Sequence, residues 1–93
     1  MREAERVGGV LAAIEYYWRK HPDLRLGQLI VNAVSEGRLY YEEDTPLIES
    51  LAATYEDFHA EGFSMEEFAK RLTEWTGKKH IVDPKSPSGI RRE

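Results

Sequence analysis

The sequence has no cysteine among its 93 residues. This absence excludes disulfide bonds, zinc sites built from thiolates, and thiol nucleophiles. No apolar run approaches the roughly 18 residues that a membrane-spanning helix needs, and no basic segment followed by an apolar one opens the chain. We therefore expect a cytoplasmic protein that makes no membrane contact.

Histidine is scarce, and its positions do not suit a metal. His21, His59 and His80 lie on three separate segments, so no two imidazoles share a helical face at a spacing of four residues. His59 and Glu61 match half of the zinc deaminase signature, but the cysteine half is missing. Glycine-rich phosphate loops and serine nucleophile motifs are also missing. We expect no metal, no cofactor and no catalytic residue.

Basic residues are few in the body of the chain and concentrated at its end. Residues 1–77 carry 8 Lys/Arg and 15 Asp/Glu, whereas residues 78–93 carry 5 Lys/Arg and 2 Asp/Glu. The charge is therefore −7 in the first part and +3 in the second, for a total of −4. An acidic body fits poorly with phosphate binding, which needs clustered cations.

Two helices are predicted in the first part of the chain. The first carries an apolar stripe, with Tyr16 on the opposite face, and it ends at His21-Pro22 because proline disfavours a helical residue before it. The second is predicted to begin at an Asp23 cap, to reach about Ser35, and to lie in the middle of the domain because it is apolar over about 200° of its circumference. The stripe of the first helix comprises Val7, Val10, Leu11, Ile14, Tyr17 and Trp18.

Two further helices are predicted after an extended segment at 38–42. Asp44-Thr45-Pro46 starts the third, with Leu47, Ile48, Leu51, Ala52, Tyr55 and Phe58 as its apolar stripe. Ser64 and Glu67 form a capping box for the fourth, which Gly77 ends and whose apolar stripe is Met65, Phe68, Leu72 and Trp75. Residues 78–93, with two prolines, two serines and a glycine, are expected to form an irregular basic tail. The prediction is an all-α fold, with about four helices packed compactly in a domain at 1–77.

The second helix carries a thin polar strip on its otherwise apolar surface, which consists of Arg25, Gln28 and Asn32. Such a strip on a buried helix must find hydrogen-bond partners. One hypothesis is an internal network in which Arg25 pairs with Glu43 or Asp44. The alternative is a partner-binding surface formed with the tyrosines and acids of neighbouring segments. The candidate partner-binding residues are Tyr16, Arg25, Gln28, Asn32, Tyr40, Tyr41, Glu42, Glu43 and Asp44.

The run from Trp18 to Asn32 resembles a signature of small bacterial and phage proteins of unknown function, W-x-x-x-P-D-L-R-L-G-Q-L-I-x-N. In that group the signature precedes a tyrosine-acid-aspartate stretch and a leucine-rich helix, as residues 40–51 do here. The resemblance covers residues 14–51 and carries no catalytic residue. It implies a compact helical domain, often phage-borne.

The expected function is therefore that of a non-enzymatic helical interaction module. We expect it to bind, and in that way inhibit, a host or phage protein through an acidic face that carries tyrosines. The alternative is a small nucleic-acid-associated regulator that uses the basic end of the chain. The sequence alone leaves the oligomeric state open.

Overall fold

The computed structural model describes residues 4–93. Within them, five helices are followed by a two-stranded antiparallel sheet, and the mostly helical fold is as predicted. The elements are α1 (Glu5–Lys20), α2 (Leu26–Ala33), α3 (Glu36–Leu39), α4 (Asp44–Tyr55), α5 (Met65–Thr76), β1 (His80–Val82) and β2 (Ile90–Arg92).

The hydrophobic core lies between α1, α4 and α5, and the sheet covers part of it. α1 and α4 run parallel, because side chains near their first residues meet each other, as do side chains near their last residues. α5 runs antiparallel to α1, with its last turn against the start of α1. The buried cluster comprises Ala13, Tyr17, Leu29, Ile48, Leu51, Ala52, Phe68, Ala69, Leu72, Trp75 and Ile90.

Helix α5 begins and ends as its sequence predicts. The Ser64 hydroxyl accepts a hydrogen bond from the Glu67 backbone N–H at 3.3 Å, which satisfies one free donor of the first turn. Gly77 follows the helix with φ of 70°, a left-handed conformation that glycine adopts without steric cost. Phe68, Leu72 and Trp75 are buried, as the apolar stripe predicted.

Helix α1 presents to the core only part of the face that its apolar stripe predicts. Ala13 and Tyr17 are fully buried, whereas Val7, Leu11 and Trp18 of the predicted stripe are exposed. The small residues on the inward face contribute little to an apolar pattern but allow α5 to approach closely. The predicted stripe is therefore correct for Val10, Ile14 and Tyr17, which pack in or against the core cluster, and wrong for the other three residues.

Helix α2 is shorter than predicted and starts later. Its N-cap is Arg25, whose backbone N–H donates to the Gln28 side-chain oxygen at 3.0 Å. Asp23 lies before this cap, in a turn that separates α1 from α2, and the helix ends at Ala33 rather than near Ser35. The Gln28 side chain therefore caps its own helix.

Helix α2 is peripheral, which corrects its expected position in the middle of the domain. Leu29 is its fully buried residue, and Leu26 and Val31 are exposed. An eight-residue helix that packs mainly on α4 cannot bury a wide apolar surface. The Tyr55 hydroxyl ties α2 to α4 by donating to the Leu29 carbonyl oxygen at 2.5 Å.

The segment at 38–42, predicted to be extended, instead begins in the last residues of α3. The backbone N–H groups of Arg38 and Leu39 both donate to the Ser35 carbonyl oxygen at 3.0 Å, which closes a single helical turn. Tyr40 and Tyr41 follow in a turn that leads to α4. Local backbone hydrogen bonds therefore override the strand preference of the aromatic residues.

The C-terminal segment is an ordered hairpin rather than an irregular tail. The Asp83 backbone N–H donates to the Gly89 carbonyl oxygen at 2.8 Å, and both His80 and Ile90 are buried. Strand β1 packs on α5, where the Thr73 hydroxyl accepts from the His80 backbone N–H at 2.9 Å. Residues 78–93 therefore complete the domain. The paired residues are His80 with Arg92, Ile81 with Arg91, and Val82 with Ile90.

None of the helices in the described part of the chain has the length and apolar character needed to cross a membrane.

Candidate interaction surface

The parallel arrangement of α1 and α4 divides the candidate residues between two ends of the molecule. At the N-terminal end, the Arg6 guanidinium pairs with the Asp44 carboxylate. At the C-terminal end, the Tyr17 hydroxyl donates to Glu56, directly after α4. The 12-residue helix α4 holds these ends about 16 Å apart.

Tyr40 and Tyr41 lie just before the N-terminal end of α4, and they are the most exposed of the large hydrophobic residues described. Their relative exposures are 87% and 80%. Their rings meet edge to face, with centroids 4.9 Å apart, so each ring limits the motion of the other. The pair forms a preorganised aromatic projection.

Acidic residues precede and follow the two tyrosines in the sequence. The Glu42 carboxylate pairs with Arg38 one turn earlier at 3.0 Å, and Asp44 pairs with Arg6. Glu36 and Glu43 are both exposed. We call the surface formed by Glu36 and residues 40–43 the tyrosine-acid surface.

The predicted internal network of the polar strip is wrong. Arg25, Gln28 and Asn32 are all exposed, and Asp44 pairs with Arg6 rather than with Arg25. The Asn32 side chain instead hydrogen-bonds Tyr55, at the far end of α4 from Asp44. The strip is therefore separate from the tyrosine-acid surface.

Tyr16 also lies apart from the tyrosine-acid surface. Its ring is half-buried and packs on Trp75, with centroids 5.4 Å apart. The Lys20 ammonium and the Arg71 guanidinium each lie 4.5 Å from the ring centroid, within range of cation–π attraction. Tyr16 therefore joins α1 to α5 through these contacts.

A buried carboxylate completes this junction of three helices, and sequence analysis missed it. The Glu56 side chain is 4% exposed and accepts from Tyr17 at 2.8 Å, Lys20 at 3.1 Å and Arg71 at 3.3 Å. Two cations and a phenol offset the cost of removing one carboxylate from water. Glu56 falls outside any apolar stripe, so no sequence signal distinguished it from the exposed acids.

The Glu56 cluster has a marked effect on Tyr17. Burial raises the pKa of the Tyr17 hydroxyl above its ordinary value, and the hydrogen bond to Glu56 and the charge of that carboxylate raise it further. The neutral phenol is therefore the stable form in the folded protein. Because the Glu56 carboxylate accepts from residues of both α1 and α5, the cluster links these two helices to the end of α4.

A groove of about 910 Å³ lies between α4, α5 and the hairpin, beside the tyrosine-acid surface. Arg38 and Glu42 line the end nearest that surface. The apolar lining includes Ala52, Phe58, Met65, Phe68, Leu72 and Ile90.

A buried histidine in this groove has both ring nitrogens engaged. His80 Nδ1 lies 2.6 Å from the Lys78 carbonyl oxygen and Nε2 lies 2.9 Å from Glu49 Oε2. Arg92 reaches the same carboxylate oxygen at 3.3 Å. His80 thus pins the hairpin to α4, and no lone pair of its ring is directed at the groove.

The described residues contain no group of three or more His, Cys, Asp or Glu side chains arranged to hold a metal ion. No protein-family model, curated protein or solved structure matches the chain. The resemblance of residues 14–51 to the bacterial and phage group therefore stays a prediction.

Proposed function

We propose that this protein acts by binding another protein through the tyrosine-acid surface. The observation that carries the proposal is the exposure of Tyr40 and Tyr41, at 87% and 80%, in adjacent positions. Tyrosine is enriched at binding hot spots because it buries a large ring with few rotatable bonds to freeze. Two such rings in mutual contact offer an anchor that is ordered before the partner arrives.

The charges around the tyrosines define the kind of partner. Glu36 and Glu43 are exposed on this surface, whereas the Glu42 carboxylate is largely buried and paired with Arg38. Residues 1–77 as a whole carry a charge of −7. Complementary potentials speed association and fix the orientation of two proteins. The partner surface is therefore basic, and the adjoining groove offers apolar area to a partner side chain.

The resemblance of residues 14–51 favours a bacterial or phage protein as the partner. Binding would inhibit that partner if this protein covered basic residues that the partner needs for its own function. The alternative function, nucleic-acid binding by residues 78–93, is less well supported by the geometry. Three of the five basic residues there form ion pairs, Lys79 with Glu93, Arg91 with Asp83, and Arg92 with Glu49.

Affinity capture from a bacterial lysate tests the proposal when wild type and a Tyr40→Ala/Tyr41→Ala variant are compared. The variant should keep its helical circular dichroism, because both side chains are exposed. Loss of two hot-spot tyrosines should reduce recovery of the specific partner at least tenfold. Higher salt should also weaken capture of a basic partner.

A His59→Ala/Glu61→Ala variant is the matched control, since both residues are exposed and lie beyond the other end of α4. It should recover the partner as well as wild type does. Equal recovery by the tyrosine variant would contradict the proposal. Salt-sensitive capture of nucleic acid in place of protein would favour the alternative.

A further inference from the structure

The buried histidine of the C-terminal hairpin is held between two oxygen atoms. The His80 side chain is 1% exposed. Its Nδ1 lies 2.6 Å from the Lys78 carbonyl oxygen, and its Nε2 lies 2.9 Å from Glu49 Oε2. Both separations are those of hydrogen bonds. Each ring nitrogen therefore faces an oxygen that it can bind.

Neither of these oxygens has a proton to donate. The Lys78 carbonyl oxygen is a backbone acceptor, and a carboxylate accepts at both of its oxygens. Arg92 Nε lies 3.3 Å from the same Glu49 oxygen, and its positive charge favours the ionised carboxylate. A neutral imidazole has one N–H and one lone pair, so one of its nitrogens would face an oxygen without a hydrogen bond. The imidazolium has two N–H donors and satisfies both contacts.

Charged and polar groups reach the ring region from each element packed against it. α4 contributes Glu49, and β2 contributes Arg92, which is paired with His80 in the sheet. α5 contributes the Thr73 hydroxyl, which accepts from the His80 backbone N–H. Glu49 favours the imidazolium by direct contact, and Arg92 opposes it with a like charge. Further charged groups of the hairpin and the groove pair with one another, namely Lys79 with Glu93, Arg91 with Asp83, and Arg38 with Glu42.

The contacts of His80 hold the hairpin against the rest of the domain. Ile90, in the paired strand, is buried in the core cluster. Residues 84 and 86–90 of the hairpin line the groove of about 910 Å³ between the hairpin, α4 and α5. If His80 gives up one of its two contacts, a buried polar group loses its partner, which is costly away from water. The closed position of the hairpin is therefore linked to the proton on the ring.

We propose that the C-terminal hairpin is a pH-sensitive latch, closed by the protonated His80 and loosened when the ring loses its proton. An ordinary histidine, like that of an opened hairpin, releases its proton near pH 6.5. The proton's contribution to closure is therefore complete below about pH 6.5 and declines as pH rises above it. Loosening would move one wall of the groove beside the tyrosine-acid surface. The latch does not depend on the partner proposed above.

Amide hydrogen exchange tests the latch in the wild-type full chain. The Asp83 backbone N–H, which donates to the Gly89 carbonyl oxygen across the hairpin, exchanges when the hairpin opens. After correction for the intrinsic exchange rate, its protection should fall at least about fivefold between about pH 5.5 and about pH 8.5. The nitrogen NMR shifts of the His80 ring should change from imidazolium to neutral values over the same range.

Two variants separate the charge of the ring from the general stability of the hairpin. His80→Gln keeps a donor for Glu49 but does not titrate, so Asp83 protection should vary less than about twofold over that range of pH. In Glu49→Gln the carboxamide can donate to Nε2, so a neutral ring keeps both contacts and the pH dependence should also be lost. His59→Gln is the matched control, because His59 is exposed outside the hairpin, and it should keep the wild-type pH dependence.

Two results would overturn the proposal. One is a constant protection of the wild-type Asp83 amide across this range of pH, a measurement that does not depend on any variant folding. The other is the wild-type pH dependence in His80→Gln or in Glu49→Gln, which would assign the effect to another group.

Discussion

Gly9 shows how one small residue determines the packing of a helix. A Cβ at this position would overlap the Trp75 carbonyl oxygen and lie 3.0 Å from its carbonyl carbon. Both contacts are with backbone, which cannot move aside as a flexible side chain does. Among the described residues, no heavy atom outside the neighbouring part of α1 lies within 4 Å of such a Cβ on Gly8.

We expect Gly9→Ala and Gly8→Ala to change stability in opposite directions. Alanine favours helix over glycine by about 1 kcal/mol at either position. At Gly9, the clash with α5 should outweigh that gain and lower the free energy of unfolding by about 1–3 kcal/mol. At Gly8, stability should rise by about 0.5–1 kcal/mol. Urea unfolding measures both, and stabilisation by Gly9→Ala would contradict the close approach of α1 to α5.

At the scale of the element, the C-terminal hairpin differs most from its prediction. Its composition of proline, serine, glycine and basic residues is typical of a solvated segment. In the structure, Ile90 is buried against the core cluster and His80 is fixed by two hydrogen bonds of its ring. The hairpin is therefore part of what stabilises α5.

We expect Ile90→Ala to lower the free energy of unfolding by about 2–4 kcal/mol, because it leaves a cavity beside α5. Val82→Ala, in the paired strand, should cost less than about 1 kcal/mol, since Val82 is exposed. Chemical denaturation followed by tryptophan fluorescence would measure both values. Equal, small effects would indicate that residues 78–93 behave as the predicted solvated tail.

At the scale of the whole molecule, the Glu56 cluster joins α1, α4 and α5 at one end of the domain, and Arg6 with Asp44 joins α1 and α4 at the other. Two tyrosines near the first junction stay protonated in the folded state to a higher pH than an ordinary tyrosine does. Burial, with Glu56, raises the pKa of Tyr17, and burial raises that of Tyr55 despite its hydrogen bond with Asn32.

These shifts predict a loss of stability in alkali. The unfolded chain releases its tyrosine protons near pH 10, whereas the folded protein retains them at higher pH. The stabilisation is therefore complete below about pH 10 and declines as pH rises above it toward the folded pKa values. Urea unfolding between about pH 8 and 11 should show this decline. Tyr17→Phe should reduce its slope, and a Tyr40→Phe control should keep it; an unchanged slope in Tyr17→Phe would contradict the prediction.

Much of the secondary structure could be predicted from local signals. Proline at 22 and 46, the Ser64–Glu67 capping box and Gly77 act through bonds and sterics within a few residues, so they mark helix ends whatever the surroundings. Tyr40 and Tyr41 were identified as candidates because tyrosine is enriched at binding hot spots. Their separation from Tyr16 and the polar strip could not be predicted, because it depends on the parallel packing of α1 and α4.

The sequence by itself determined a small, mostly helical protein without cysteine chemistry, with the end of α1, the start of α4, and both ends and the inward stripe of α5. Only the tertiary structure decided which part of the α1 stripe is buried, that Glu56 links α1 and α5 to the end of α4, and that residues 78–93 form a hairpin. The physical reason is the range of the interactions. Caps and periodicity act over one or two turns, whereas the packing of α1, the pairing of Glu56 and the docking of Ile90 depend on residues distant in the chain.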